Sequence, residues 1–375
     1  MTEIYLIRHT QAEGNLYRMM QGHWDGQVTA LGLRQIEALS KRFENVHIDA
    51  VYSSDLSRTR LTASAITIPH HLPLTTLPAL REINLGPWET LFFANIFHDD
   101  PEHTELFIHD PEHWHIDGAE SFQQVTDRAY PALEEIARRH EGQTVAVVSH
   151  GVTIRCLLSK ITGIRLNESN RLPISGNTAV SKLIWEDDHF TAETINDASH
   201  LAHLALPAWS STADLRHEVF DPASDPAYYE SCYADAWRAA HGSTLGFIAQ
   251  PYYNSALQHH QAYPGAVLKI FNKEEPVGLV DLDTERGAHA NYGWISLLYL
   301  KPEYRRKGYG VQLLARAIRA YRELGRRSIR LHVAEANTAA VTFYRRQGFE
   351  LLGTEGTGGG KLLLMEKTLG GRTDV

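Results

Sequence analysis

Thr144-Val145-Ala146-Val147-Val148-Ser149-His150-Gly151 is an apolar run that stops abruptly at a polar Ser-His-Gly corner. An apolar run without polar alternation suits a strand covered on both faces, as in a parallel sheet. A helix-like stretch carrying Leu157, Leu158 and Ile161 follows it. The corner therefore lies where a strand ends and a helix begins. Working outward, the same pattern recurs. Glu3–Ile7 is a short apolar strand ending in Arg8-His9, and Thr29 is placed to cap a helix with Leu33, Ile36, Leu39 and Phe43 at helical spacing. Asp49–Ser53 reads as another strand, with Asp55 placed to cap the helix after it. Strands alternating with helices across residues 1–205 predict an α/β layer fold.

Between about 90 and 125 the pattern loosens. Asp100-Pro101-Glu102-His103 is echoed by Asp110-Pro111-Glu112-His113. Asp followed by Pro starts helices, because the carboxylate caps and Pro fits the first turn. Two short helices are expected there, inserted as a lid. Pro207, Ser210, Ser211, Pro222 and Pro226 mark a linker region at 206–226. The second half predicts helices at Tyr228–His241, Val311–Leu324 and Thr338–Gln347. Its strands fall at Gly265–Phe271, Pro276–Leu282, Tyr292–Leu300, Ser328–Val333 and Lys361–Glu366, with a turn at Gly356 and Gly358–Gly360. A chain of 375 residues exceeds the roughly 250–300 at which one core stops growing. Two domains are expected, at 1–205 and 227–370.

Three short sites end predicted strands: Arg8-His9, Ser53-Ser54-Asp55-Leu56-Ser57-Arg58, and Ser149-His150-Gly151. That edge of an open α/β sheet is where ligands bind. Guanidinium forks match phosphate oxygens, and a neutral imidazole can attack phosphorus. Together with Thr10, Glu13-Gly14-Asn15, Thr59, Leu80–Glu89 and Gly118-Ala119-Glu120-Ser121, these residues resemble the histidine phosphatase superfamily (phosphoglycerate mutase-like). The resemblance implies an α/β/α sandwich with a mostly parallel sheet. It makes His9 the nucleophile, with Arg8, Arg58 and His150 clamping the phosphoryl oxygens. Asn15 and Gly151 complete the phosphate site, and Glu82 protonates the leaving oxygen and then activates water. Thr10 departs from the commonest family motif, which has Gly there, so the support behind the His9 ring is expected to differ.

A mutase favours a basic substrate site, but Phe97–Asp117 carries no Lys or Arg, which favours hydrolysis. His98, His103, His109, His113 and His115 stand beside carboxylates, yet their spacing fits no compact ligand motif. No metal is expected.

Leu298-Tyr299-Leu300-Lys301-Pro302-Glu303-Tyr304-Arg305-Arg306-Lys307-Gly308-Tyr309-Gly310 runs from a strand through a Gly-bearing turn into a helix. Such a turn aims free N–H groups and a helix dipole at an anion. Residues 301–330 hold ten Lys or Arg against two Glu. With Glu335-Ala336-Asn337, Ala340 and Phe343–Phe349, the segment resembles the GNAT acetyltransferase superfamily, an α+β fold with a mixed sheet. The resemblance implies acetyl-CoA as acetyl donor. Its pyrophosphate would lie on the N–H groups of Arg305, Arg306, Lys307, Gly308, Tyr309 and Gly310, its pantetheine along Leu298–Leu300. Asn337 would contact the cofactor arm and Tyr344 would protonate the departing thiolate. Glu303 and Asp283 are both candidates for the base.

Lys and Arg number 36 against 45 Asp and Glu, a net charge of −9, so no nucleic-acid or membrane binding is expected. The N-terminal Met-Thr-Glu leads straight into Ile4–Ile7 without the basic region of a secretory signal, and Cys156 and Cys232 read as reduced thiols. A cytoplasmic enzyme acting on a small phosphate ester and a small-molecule or protein amine is expected. Three alternatives stay open: an acetyl-CoA-sensing second half, a first half that docks phosphoproteins, and a mutase.

Overall fold

The computed structural model describes residues 1–173, 175–204, 213–357 and 360–370. The chain divides into two units, Met1–Ala208 and Trp209–Val375.

In the first unit the strands are β1 (Thr2–Arg8), β2 (Ala50–Ser53), β3 (Leu74–Thr76), β4 (Thr144–Ser149), β5 (Val180–Glu186) and β6 (His189–Asp197). They form one sheet in the order β3-β2-β4-β1-β5-β6. The first four strands in that order run parallel, and β5 and β6 close the far edge as an antiparallel pair. The helices are α1 (Glu13–Tyr17), α2 (Ala30–Phe43), α3 (Ser57–His70), α4 (Phe93–Asp99), α5 (Pro101–His109), α6 (Phe122–Arg139) and α7 (Gly151–Thr162).

Residue alternation along β1 and β4 sends side chains to two separate cores. Ile4, Leu6, Val145 and Val147 pack with Leu133 of α6 and Leu157 of α7. Ile7, Ala146 and Val148 pack with Leu39 of α2 and Ile66 of α3. Both faces of β4 are thus dry, which is why its sequence is continuously apolar. Each fully buried Val, Leu or Ile contributes about 1.5–3 kcal/mol.

Two local expectations are corrected. Asp55 does not cap α3. Its carboxylate takes Arg81 Nε at 2.7 Å, while the Ser57 N–H at the start of α3 donates to Asp25 Oδ2 at 2.7 Å. Pro101 does open α5, but the Asp100 carboxylate lies 2.7 Å from His103 Nδ1 and does not cap it, and Asp110-Pro111 opens only a turn. Asp110 is occupied by His113 Nδ1 and Asn167 Nδ2, each at 2.8 Å. Trp114 then buries itself against Trp88, Phe107 and Phe122, drawing the chain inward.

The second unit holds β7 (Arg216–Val219), β8 (Val267–Asn272), β9 (Glu275–Asp283), β10 (Tyr292–Leu300), β11 (Ser328–Ala334), β12 (Glu350–Thr357) and β13 (Gly360–Thr368). Their order is β12-β13-β11-β10-β9-β8-β7. Only β10 and β11 pair in parallel; every other neighbour is antiparallel, giving a mixed sheet. Helices α8 (Pro226–His241), α9 (Ala249–Ala262), α10 (Gly310–Glu323) and α11 (Thr338–Arg346) complete it.

The linker expected at 206–226 is cut short, because Arg216–Val219 pairs with β8 as an edge strand. Edge exposure of Glu218 and Val219 removes the apolar alternation that would mark a strand. Residues 205–212, with Pro207, Ser210 and Ser211, and Gly358 and Gly359 of the expected turn lie outside the described residues. Each unit contains one cysteine, Cys156 in the first and Cys232 in the second, both buried and free. No helix among the described residues is long and apolar enough to cross a membrane.

Candidate active sites

Register assembles the first site. Arg8 pairs with Ser149, and Ser53 pairs with Val148, so β1, β2 and β4 release His9, Ser54 and His150 at one sheet edge. The His9 and His150 ring centroids lie 5.2 Å apart. His9 Nδ1 lies 2.6 Å from the Thr10 carbonyl. A carbonyl only accepts, so Nδ1 carries the ring proton and Nε2 keeps its lone pair. Burial, reinforced by the charges of Arg58 and Arg8, holds the His9 pKa well below its ordinary value. Thr10 itself is pinned from behind: its N–H donates to Thr62 Oγ1 at 2.9 Å, and its hydroxyl reaches the Gly32 carbonyl at 2.6 Å.

Three donors around this ring lack partners. Arg8 Nε, Arg58 Nε and His150 Nδ1 are buried without a hydrogen bond to any described residue. Ser54 Oγ lies 2.7 Å from His150 Nε2; when the hydroxyl donates, the ring proton sits on Nδ1, ready for an anion. Arg58 is wholly buried, its Nη2 on the Gly22 carbonyl at 2.7 Å and its Nη1 on the Trp24 carbonyl at 3.0 Å. The loop supplying those carbonyls is held by Glu89, which accepts from the His23 and Trp24 amides at 2.7 and 2.9 Å. Arg8 donates to the Ser175 carbonyl. The Nε donors of Arg8 and Arg58 are thus left without acceptors, a desolvation cost that an anion at this edge would offset.

Asn15 Oδ1 accepts from the Ala12 amide at 3.0 Å and from Asn177 Nδ2 at 3.3 Å, which leaves its own Nδ2 as the donor. Gly151 opens α7, and a Cβ there would stand 3.4 Å from the Arg8 guanidinium. Glu82 sits over the same helix start. Its Oε1 accepts from the Val152 and Thr153 amides at 3.1 Å each. The turn carrying Glu82 is fixed by Arg128, which donates to the Ala79, Arg81 and Glu82 carbonyls, all at 2.8 Å. Arg128 is oriented in turn by Glu120, with Nε on Oε1 at 2.8 Å.

In the second unit β10 pairs with β11 only from Tyr292 to Ile295. Beyond that the strands part, and β10 shifts register against β9 between Ile295 and Leu297. Leu298 and Leu300 therefore border β9 on one side and an opening on the other. The loop after β10 has left-handed Arg306 and Gly308, φ 62° and 84°. The amides of Arg306–Gly310 bond to no described residue, and they precede α10. Left-handed residues of this kind turn successive N–H groups toward one anion.

The Arg305 amide, expected in that set, instead donates to the Pro302 carbonyl at 3.1 Å, since a short 3-10 turn spans Pro302–Tyr304. The Arg305 side chain is also committed, to the Leu300 carbonyl at 2.7 Å and Asp235 at 2.6 Å.

Tyr344, on α11, packs against Phe343 and Phe349, and burial pushes its phenol pKa up, so it stays protonated. Asn337 caps α11 through Oδ1 on the Ala340 amide at 3.2 Å. Glu303 is exposed, whereas Asp283 lies 3.5 Å from His259 Nε2. His259 Nδ1 reaches the buried Asp281 at 2.7 Å, and Tyr229 donates to that same carboxylate at 2.8 Å.

Residues 4–198 match the family model for the histidine phosphatase superfamily (branch 1). The chain belongs to that superfamily. Residues 227–349 match the acetyltransferase (GNAT) family, so one chain carries both enzyme domains. The probable phosphoglycerate mutase GpmB of Yersinia pestis (strain Pestoides F) is 30% identical over 210 residues, covering 56% of this chain and 97% of its own. That of Yersinia pseudotuberculosis serotype I (strain IP32953) matches equally. Among solved structures, Bacillus stearothermophilus YhfR superposes with a TM-score of 0.52 at 32% identity, covering 54% of this chain and all of its own.

The histidine phosphatase domain brings Arg8, His9, Arg58, His150 and Gly151 together at one edge, with Glu82 seated on the helix that starts there. Asp25, Glu89, Arg128, Ser175 and Asn177 were not foreseen as their supports. Of these, only Glu89 lay within a segment that resembled the family. In the GNAT domain the Tyr229–Asp281–His259–Asp283 chain was equally unforeseen apart from Asp283, because its members are scattered over three elements.

Proposed function

We propose that the first domain hydrolyses phosphate monoesters through a phosphohistidine and that the second acetylates an amine with acetyl-CoA. The observation that carries the first half is the ring of unpartnered buried donors around an imidazole whose lone pair sits on Nε2. His9 Nε2 attacks phosphorus, and the bond to the ester oxygen breaks as that oxygen takes a proton from Glu82. Water then attacks the phosphohistidine while Glu82 accepts its proton, releasing phosphate and restoring His9. Arg8, Arg58 and His150 stabilise the charge on the phosphoryl oxygens, each such donor being worth about 3–4 kcal/mol of barrier. No step in this route calls on a metal.

For the second half, acetyl-CoA supplies an activated acetyl group. The Arg306–Gly310 amides fit its pyrophosphate, and the unpaired side of β10 at Leu298–Leu300 fits an extended pantetheine arm. Tyr344 holds a proton at its hydroxyl, and Asn337 is left with Nδ2 to donate. The acceptor amine must arrive neutral.

The test is p-nitrophenyl phosphate turnover with EDTA present, by wild type and His9→Ala. Turnover that disappears in the variant supports the phosphohistidine route; turnover that survives in His9→Ala overturns it. The mutase named in the Yersinia relatives is the second reading, and it predicts phosphoryl transfer between substrate positions faster than phosphate release. Titration with acetyl-CoA beside an amine screen separates a transferase from a sensor, since a sensor binds without turnover.

A further inference from the structure

We infer that His332 is the general base of the second domain, taking the proton that the acceptor amine sheds as it attacks the acetyl group. The inference rests on the acetyl-transfer reading of that domain and names a residue that the reading leaves unassigned.

Register puts His332 at the reacting end of the cofactor. β10 and β11 are parallel partners from Tyr292 and Ser328 to Ile295 and Leu331, and then they part. His332 is the first residue of β11 beyond that fork, at the level where β10 shifts register between Ile295 and Leu297. A pyrophosphate on the Arg306–Gly310 amides sends its pantetheine arm back along Leu300 and Leu298, so the thioester arrives at the closed end of the fork. Glu303 stands at the opposite end, beyond Leu300. Asp283 already accepts from the Glu285 and Arg286 amides, at 3.2 and 2.9 Å, and faces His259.

The surroundings of the side chain suit a base. Along β11, Ile329, Leu331 and Val333 are buried on one face, and Arg330 and His332 lie on the other. There the His332 ring stands edge-on to Trp294, with centroids 4.8 Å apart, and Arg286 Cζ lies 3.4 Å from the centre of the same indole. His332 Nε2 is buried without a hydrogen bond to any described residue, and Glu355 Oε2 of β12 approaches it to 3.3 Å. A carboxylate only accepts, so Glu355 favours the tautomer with its proton on Nε2 and leaves the lone pair on Nδ1. Burial is the largest influence on the ring and lowers its pKa, against a smaller upward pull from Glu355; Arg286 lowers it further. The imidazole is therefore neutral at pH 7, the form a base requires. His259 is not: although burial opposes it, Asp281 and Asp283 raise its pKa to about 9, so it already holds a proton.

In the transfer step the amine nitrogen attacks the thioester carbonyl carbon, and its proton passes to His332 Nδ1 as the C–N bond forms. The C–S bond breaks, the thiolate takes the Tyr344 proton, and exchange with water returns both side chains to their starting forms.

The test begins with full-length protein and bromoacetyl-CoA, which carries bromide on the methylene beside the thioester carbonyl. An imidazole at that position displaces the bromide and forms a C–N bond, and peptide mass spectrometry locates the adduct. His332 should carry it, and excess CoA should suppress it. CoA release from acetyl-CoA is then followed with water, spermidine and tyramine as acceptors. His332→Gln should lower kcat by about 10²–10⁴-fold, leave the Kd for acetyl-CoA unchanged, and lose the acid limb that wild type shows below pH 6.5. A residue that only packs against Trp294 would shift binding or melting and leave the pH profile alone. Bromoacetyl-CoA that binds without labelling His332, or a His332→Gln protein with wild-type kcat and acid limb, overturns the assignment and leaves the transfer reading standing. Wild type that binds acetyl-CoA yet releases CoA to none of these acceptors overturns the transfer reading, and the base with it.

Discussion

One hydrogen bond, from His9 Nδ1 to its neighbour's carbonyl, leaves the Nε2 lone pair free for the attack proposed above. The same burial that isolates the ring depresses its pKa, so the imidazole resists protonation. A base whose pKa is lowered keeps working as the pH falls, and the acid limb of kcat/KM should therefore lie well below pH 6.5. Arg58 contributes to that depression through its charge. Arg58→Gln should move the acid limb toward higher pH while lowering kcat/KM by about 10²–10³-fold. A pH–rate profile reads both effects, and an acid limb that stays put in the variant would show that the Arg58 charge does not set the pKa. Gly86 is a different kind of necessity. Its φ is +53°, and a Cβ there would stand 2.8 Å from the Gly118 backbone, so Gly86→Ala should destabilise the short 3-10 turn Gly86–Trp88 that leads into Glu89.

At the scale of elements, Arg128 ties α6 to the turn before Glu82. Arg128→Met leaves Glu120 without its guanidinium, though still held by the Asn84 amide, and frees three carbonyls; it should cost about 2–3 kcal/mol in a urea titration as well as lowering kcat. An unchanged kcat with reduced stability would detach Glu82 placement from this arginine. In the other domain Gly308→Ala forces a side chain into φ 84° and should weaken acetyl-CoA binding severalfold, by about 1–2 kcal/mol. These elements also show what a sequence discloses. β1, β4 and β10 were legible because burial on both faces writes itself as apolar runs. The edge strand β7 was not, since its exposed positions need no apolar residue. Arg128 was hidden for another reason: its partners Ala79 and Glu120 belong to separate segments, and nothing local marks a residue whose work is done on distant backbone. The Asp55 cap failed because an ion pair with Arg81 competed for the carboxylate, leaving Asp25 to take the helix start.

For the whole molecule, two units with separate cores and separate ligands should respond separately. Full-length protein in a scanning calorimeter should show orthovanadate raising one transition and acetyl-CoA the other, each by mass action on the unit it binds. One transition that moves with both ligands would mean that the units unfold together.

The buried thiols make that distinction visible without a calorimeter. Burial pushes Cys156 up to about 12 and Cys232 up to about 11, so neither reacts as a thiolate while its unit is closed. Each unit owns one of them, and opening exposes only that one. A brief pulse of iodoacetamide during heating, followed by peptide mass spectrometry, would then report which half opens first, molecule by molecule, from the alkylated fraction at each cysteine.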